Sequence, residues 1–183
     1  MSATLWSRGG LALLVGGLIG ALGGVLFVVA DTVGAWLTII ALLGIGAGLL
    51  WLAVGFRSTT LPNWAVWLIA AAGALFVLEF LIAVLANLGV QGFGFAGVAL
   101  PPLTGILLLV GAVMVFVQRA APGQARWVLL LPAAWSLLLS LVALGGPLGS
   151  WWAVAIGDLL FALSGWFFYA AARSGLPART ARA

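Results

Sequence analysis

The sequence predicts an all-α polytopic membrane protein of six transmembrane helices, and three observations predict it. Hydrophobic residues make up 66% of the 183 and charged residues only 5%, with a mean hydropathy of +1.34, which leaves too little polar surface for a water-soluble domain. Six apolar stretches, each about 20 residues as a bilayer-crossing helix requires, take up nearly the whole chain, so residues 1–183 read as one transmembrane domain. All seven arginines fall in alternate gaps between those stretches, and the three acidic residues never join them there.

The first expected helix runs from Gly10 to Ala30, with Arg8 ahead of it. Its apolar run exceeds the roughly 7–15 residues of a secretory signal, so it is read as a span despite the weak cleavage-like Val28-Val29-Ala30. Asp31 separates it from the second helix, Gly34 to Phe56, which stops at Arg57-Ser58-Thr59-Thr60-Leu61-Pro62. The third, Trp64 to Leu88, carries Glu79. The segment from Gly89 to Gly97 is too glycine-rich for a confident helix and too apolar for an ordinary loop. It reads as an interfacial connection anchored by Phe93 and Phe95, or as a lid. Pro101-Pro102 then open or kink the fourth helix, Val98 to Val117. Arg119 and Arg126 flank the next connection, the fifth helix runs from Trp127 to Leu144 and the sixth from Trp151 to Ala172. A short basic tail, residues 173–183, carries Arg173, Arg179 and Arg182.

With this assignment every arginine lies on one side, which by the positive-inside rule is the cytoplasmic one and holds both termini. Trp6, Trp51, Trp64, Trp67 and Trp127 fall near that interface, and Trp36, Trp151 and Trp152 near the outer one, as headgroup-level aromatic belts require. Trp135 lies well inside helix 5, where it is expected to pack against a neighbouring helix or, as the alternative, to line a site. Net charge of +4 and a pI near 11.6 then reflect loop arginines facing anionic lipid, and no nucleic acid partner is expected. The lysine-free, alanine- and arginine-rich usage fits a GC-rich bacterium, and the location expected for such a chain is the bacterial inner membrane.

Small residues mark helix contacts. Ala12, Gly16, Gly20 and Gly24 repeat every fourth residue in helix 1, and Gly44 and Gly48 share that spacing in helix 2. In lipid such stripes let backbones approach, either within the monomer or with a protein partner or second copy. The endings Arg57 to Pro62, Arg119-Ala120-Ala121-Pro122 and Arg173-Ser174-Gly175-Leu176-Pro177 look alike, so helices 1-2, 3-4 and 5-6 form either three repeated hairpins or three independently stopped ones.

Few residues carry chemistry. Without cysteine, histidine or lysine the chain has no disulfide, thiolate or imidazole metal site, Ser-His-Asp relay or Schiff-base lysine, and no cofactor or metal is expected. Gly44-Ile45-Gly46 and Gly92-Phe93-Gly94 do not join a strand to a helix, which removes a nucleotide-binding reading. Glu79 and Asp158 are the two acids inside the spans, both in the outer half, where an ionisable group costs a few kcal/mol and is a functional candidate by default. Ser140, Thr104 and Asn87 reach similar levels, so Glu79, Asp158, Ser140 and Thr104 form a candidate proton or ligand site opening outwards. The alternative is that each acid bonds a helix carbonyl or hydroxyl as packing glue, worth about 1 kcal/mol.

The pattern Arg8-Gly9-Gly10-Leu11-Ala12-Leu13 and the hairpin endings resemble those of small six-pass bacterial membrane proteins of unassigned function. More loosely, the chain is similar to the HdeD-type acid-resistance family, whose chains have comparable length and repeated glycine-rich hairpins. That resemblance implies a role in envelope stress and carries over no site residue. The function expected first is thus a non-enzymatic integral membrane protein acting by packing, alone or as an accessory subunit. The second is a small-solute or proton-linked carrier, similar in size to the six-helix substrate-binding subunits of vitamin uptake systems. An intramembrane enzyme ranks last.

Overall fold

The computed structural model describes residues 2–145 and 151–174, which are helical nearly throughout. The helices are α1 (Ser2–Leu26), α2 (Asp31–Phe56), α3 (Asn63–Asn87), α4 (Gly94–Val117), α5 (Ala125–Val128), α6 (Leu130–Gly145) and α7 (Trp151–Arg173). Five of them, α1 to α4 and α7, are long and apolar enough to cross a membrane, and α5 with α6 stands where the fifth span is expected. The chain is therefore a polytopic helical membrane protein. The basic tail beyond residue 174 lies outside the described residues.

Helix α1 ends at Leu26 rather than Ala30 and α2 starts at Asp31 rather than Gly34, and three further differences have a local reason. Helix α1 begins well ahead of Gly10 because Trp6 is buried edge-on against Phe56 and Phe168, with ring centroids 5.6 and 6.0 Å away. Arg8 is consequently inside α1, its guanidinium 5.4 Å from the Trp51 ring. The fifth span breaks at Leu129 because Pro132 has no N–H to give the Val128 carbonyl. The Ser164 hydroxyl of α7, 3.0 Å from that oxygen, supplies a donor instead. Helix α4 begins at Gly94 rather than Val98 and runs through Pro101 and Pro102, which leave the carbonyls of Gly97 and Val98 without their intrahelical donors.

Helices follow one another around the bundle in the order α1, α2, α3, α4, α6, α7, and α7 returns to α1. The closest pairings are those of α1, with α2 on one side and α7 on the other, while α6 and α7 touch only slightly. The three hairpins are thus unequal in packing.

Two glycine seams explain the grip on α1. Gly9, Gly16 and Gly23 face α2: a methyl group on Gly16 would come within 2.9 Å of the Gly44 carbonyl carbon, and one on Gly9 within 2.9 Å of the Gly48 oxygen. One on Gly23 would lie 2.8 Å from the Thr38 nitrogen. Gly10 and Gly17 face α7, where added methyls would strike the backbone at Gly165 and Tyr169 and at Asp158 and Ala162. Gly20 touches both neighbours, through Asp158 and Ala41. The remaining face, Leu11, Val15, Leu18, Leu22 and Val25, is exposed to lipid. Of the expected stripe, Gly16, Gly20, Gly44 and Gly48 are therefore filled by the chain's own helices, and Gly24 is buried, while Ala12 is half-buried.

Arg8, Arg57, Arg119, Arg126 and Arg173 lie at one end of the bundle, with Arg57 5.2 Å from the Trp67 ring and Arg173 4.6 Å from that of Tyr169. Trp51, Trp64, Trp67 and Trp127 are exposed near that end and Trp36 and Trp152 towards the other, whereas Trp6 is buried. The side chain of Trp151 lies outside the described residues.

The seams make a direct prediction. Gly17→Ala forces α1 away from α7 and should cost about 1–3 kcal/mol, the usual penalty for overpacking. Leu18→Ala, on the lipid face, should cost far less. Unfolding midpoints in detergent read the difference, and equal midpoints would contradict the packing.

Candidate functional site

Glu79 lies 16 residues along α3 from Asn63 and eight from Asn87, about 24 and 12 Å at the helical rise, and so in the half away from the arginines. Its Oε1 is 2.7 Å from the hydroxyl of Thr104 on α4, a fully buried side chain that is also 2.9 Å from the Leu100 carbonyl. The threonine sits one turn past Pro101, where the helix is short of backbone donors.

Two cavities meet at this carboxyl. The larger, about 580 Å³, opens between α3, the start of α4 and Leu42 of α2, and has Glu79 and Pro101 in its lining. Its outer wall is the connection from Val90 to Phe93. Gly89 gives that wall its turn, because a positive φ of 85° lets the Val90 and Gly89 amides cap the Leu85 and Ala86 carbonyls at 3.0 Å each. Phe93 lines the pocket, whereas Phe95 is exposed. The smaller cavity, about 210 Å³, is lined by Glu79 and Thr104 together with Ser136 and Ser140 of α6 and Val154 of α7. Apart from Glu79, Gln91 is the polar side chain in the larger one.

Of the four residues singled out, the structure brings Glu79, Thr104 and Ser140 to one cavity and places Asp158 elsewhere. Ser140 is buried and donates to the Ser136 carbonyl at 2.6 Å. Asp158 is only 8% exposed, on the α7 face that packs against Gly17 and Gly20 of α1 and Ala41 of α2. Its Oδ2 has no hydrogen-bond partner among the described residues. Phe76 and Phe161, one helical turn from Glu79 and Asp158 respectively, meet edge-on at 5.5 Å. Asn87 turns back to the Ala83 carbonyl and joins neither cavity lining. Trp135 donates to the Ala153 carbonyl at 2.8 Å over the space left by Gly157, which ties α6 to the start of α7.

Sequence reasoning did not find the Leu100 carbonyl, Ser136 or Gln91 as parts of the site. The prolines at 101 and 102 free the carbonyls of Gly97 and Val98 and mark polar backbone one turn before Thr104, but they do not single out the Leu100 carbonyl, Ser136 or Gln91. Comparison with protein family models, with characterised proteins and with solved structures gives no match.

Thr104→Val keeps the shape of the side chain and removes the hydroxyl. The infrared band of the Glu79 carboxyl, identified as the one lost in Glu79→Gln, should move in this variant. An unmoved band would mean that the Thr104 bond does not exist.

Proposed function

We propose that this is a non-enzymatic membrane protein that binds a small, largely apolar solute from the face opposite the arginines, as a carrier or as the solute-binding subunit of one. The observation that carries this reading is the meeting of a lone carboxyl with a pocket of about 580 Å³, within the ordinary size range of small-molecule sites. Apolar walls offer burial, Glu79 and Gln91 offer orientation, and Thr104, in the smaller cavity behind, holds the Glu79 carboxyl. Asp158 has no part in the solute site.

The basic rim is the cytoplasmic one in this proposal, with both termini inside a bacterial inner membrane and the pocket facing outwards. The likeness to HdeD-type chains suggests an envelope-stress setting. A purely structural accessory role is the weaker reading, because the small-residue faces that motivated it are occupied within the chain. A partner would have to dock on the lipid-facing side chains instead.

Ala83 lines the pocket one helical turn beyond Glu79, and Ala83→Trp fills it while keeping the carboxyl in the chain. A panel of small apolar and amphipathic solutes, read by thermal unfolding, should contain members that stabilise the natural protein but not this variant, since a ligand bound only to the folded state raises its stability. A panel in which none distinguishes the two proteins would defeat the reading.

A further inference from the structure

The Thr104 hydroxyl has one hydrogen and two acceptors within bonding distance, Glu79 Oε1 at 2.7 Å and the Leu100 carbonyl at 2.9 Å. At Ser164 one hydroxyl hydrogen is shared between two carbonyls, those of Val128 and Leu160 at 3.0 and 2.9 Å, because neither can donate; at Thr104 one partner is a carboxyl, and both contacts become full hydrogen bonds when Glu79 supplies the second hydrogen. The carboxyl then donates to Thr104, and Thr104 donates to Leu100. The Leu100 carbonyl is fixed in the backbone of α4, so the direction of the chain is set from that end.

Among the described residues, the groups around Glu79 offer no charge to pair with it. Leu42 faces the larger pocket from α2, Leu100 and Thr104 lie on α4, and Ser136 and Ser140 on α6. Asp158 is turned to α1, and the arginines of the described residues are at the other end of the bundle. An ionised Glu79 therefore needs its counter-charge from outside the protein. A bound proton is one solution, and a cationic ligand is the other, because opposite charges brought together out of water attract strongly and offset each other's desolvation.

We propose that the pocket takes an amphipathic organic cation, an apolar body with a single positive charge, and that this cation displaces the proton on Glu79. The inference rests on the reading of the pocket as a solute site and adds the class of solute. In the exchange the carboxyl O–H bond breaks and its proton leaves to water, while no covalent bond forms to the ligand. Thr104 turns its hydrogen from the Leu100 carbonyl to the new carboxylate. The cost falls on a carbonyl that keeps its backbone donor, the amide of Thr104, in the regular pattern of α4. One proton leaves for each cation that enters.

The test uses the full chain in detergent with tetraphenylphosphonium, whose charge is permanent and which has no proton of its own to release. Triphenylphosphine oxide serves as the neutral counterpart. Equilibrium dialysis measures binding, and an indicator dye in weakly buffered solution measures protons. The natural protein should bind the cation with release of about one proton per ligand, and Glu79→Gln should bind it at least about tenfold more weakly with no release. Undiminished cation binding in Glu79→Gln, or binding without proton release, overturns the inference. Neutral probe binding as tight as the cation, unaffected by Glu79→Gln but lost in Ala83→Trp, also overturns it while leaving the solute site standing. Failure of both probes to bind overturns the inference and removes the support for the site itself. Should Glu79→Gln not fold, Ala83→Trp decides: it retains the carboxyl, and must lose both binding and proton release.

Discussion

Backbone contact between α1 and its two neighbours is the constraint on which the rest of this molecule depends. Lipid tails are as apolar as leucine, so helices in a bilayer gain little from burying leucine against leucine and must gain from close packing and polar contacts. Gly9, Gly16 and Gly23 on one side of α1, and Gly10 and Gly17 on the adjacent side, bring α2 and α7 to a distance at which even a methyl group has no place. Gly46 and Gly73 repeat the device between α2 and α3. Beyond these contacts the bundle loosens, and among the described residues α6 with α7 is the slackest of the successive pairs around it.

That gradient of packing separates two carboxyls that share one depth. Asp158 falls on the tight side, pressed on Gly20 with one oxygen unpartnered. Glu79 falls on the loose side, where two prolines in α4 and a glycine-capped turn after α3 leave room for a pocket. Phe76, one turn before Glu79, and Phe161, one turn after Asp158, meet edge-on and join α3 to α7. An acid in a glycine seam and an acid at a cavity differ in what can reach them, and the exchange of a proton for a ligand is proposed for the second alone.

The six-span architecture was legible because its determinants are compositional: apolar length for the spans, arginine for their ends. The faces of the helices were not. In α1 every face is apolar, so polarity carries no information, and the faces differ only in side-chain volume. A four-residue stripe through Ala12, Gly16, Gly20 and Gly24 and the seven-residue seams Gly9-Gly16-Gly23 and Gly10-Gly17 are all present in the same glycine-rich stretch, and both seams face neighbouring helices. Depth along a helix could be counted in residues, which put Glu79, Thr104, Ser140 and Asp158 at one level. Rotation about the helix could not, which is why Asp158 stood with the other three. The early start of α1 was hidden for another reason, since Trp6 reads as an interfacial tryptophan until Phe56 and Phe168 are seen to enclose it.

The chain has no cysteine of its own, so single replacements report accessibility without background. Ala83→Cys on the pocket and Asp158→Cys in the glycine seam, each treated with a membrane-impermeant maleimide on intact cells, test the separation of the two sites and the orientation together. Rapid labelling at position 83 from outside, with position 158 unreactive until the protein is unfolded, is the expected result. Labelling at 158 with 83 protected, or labelling of 83 only after the cytoplasmic face is opened, would contradict the account.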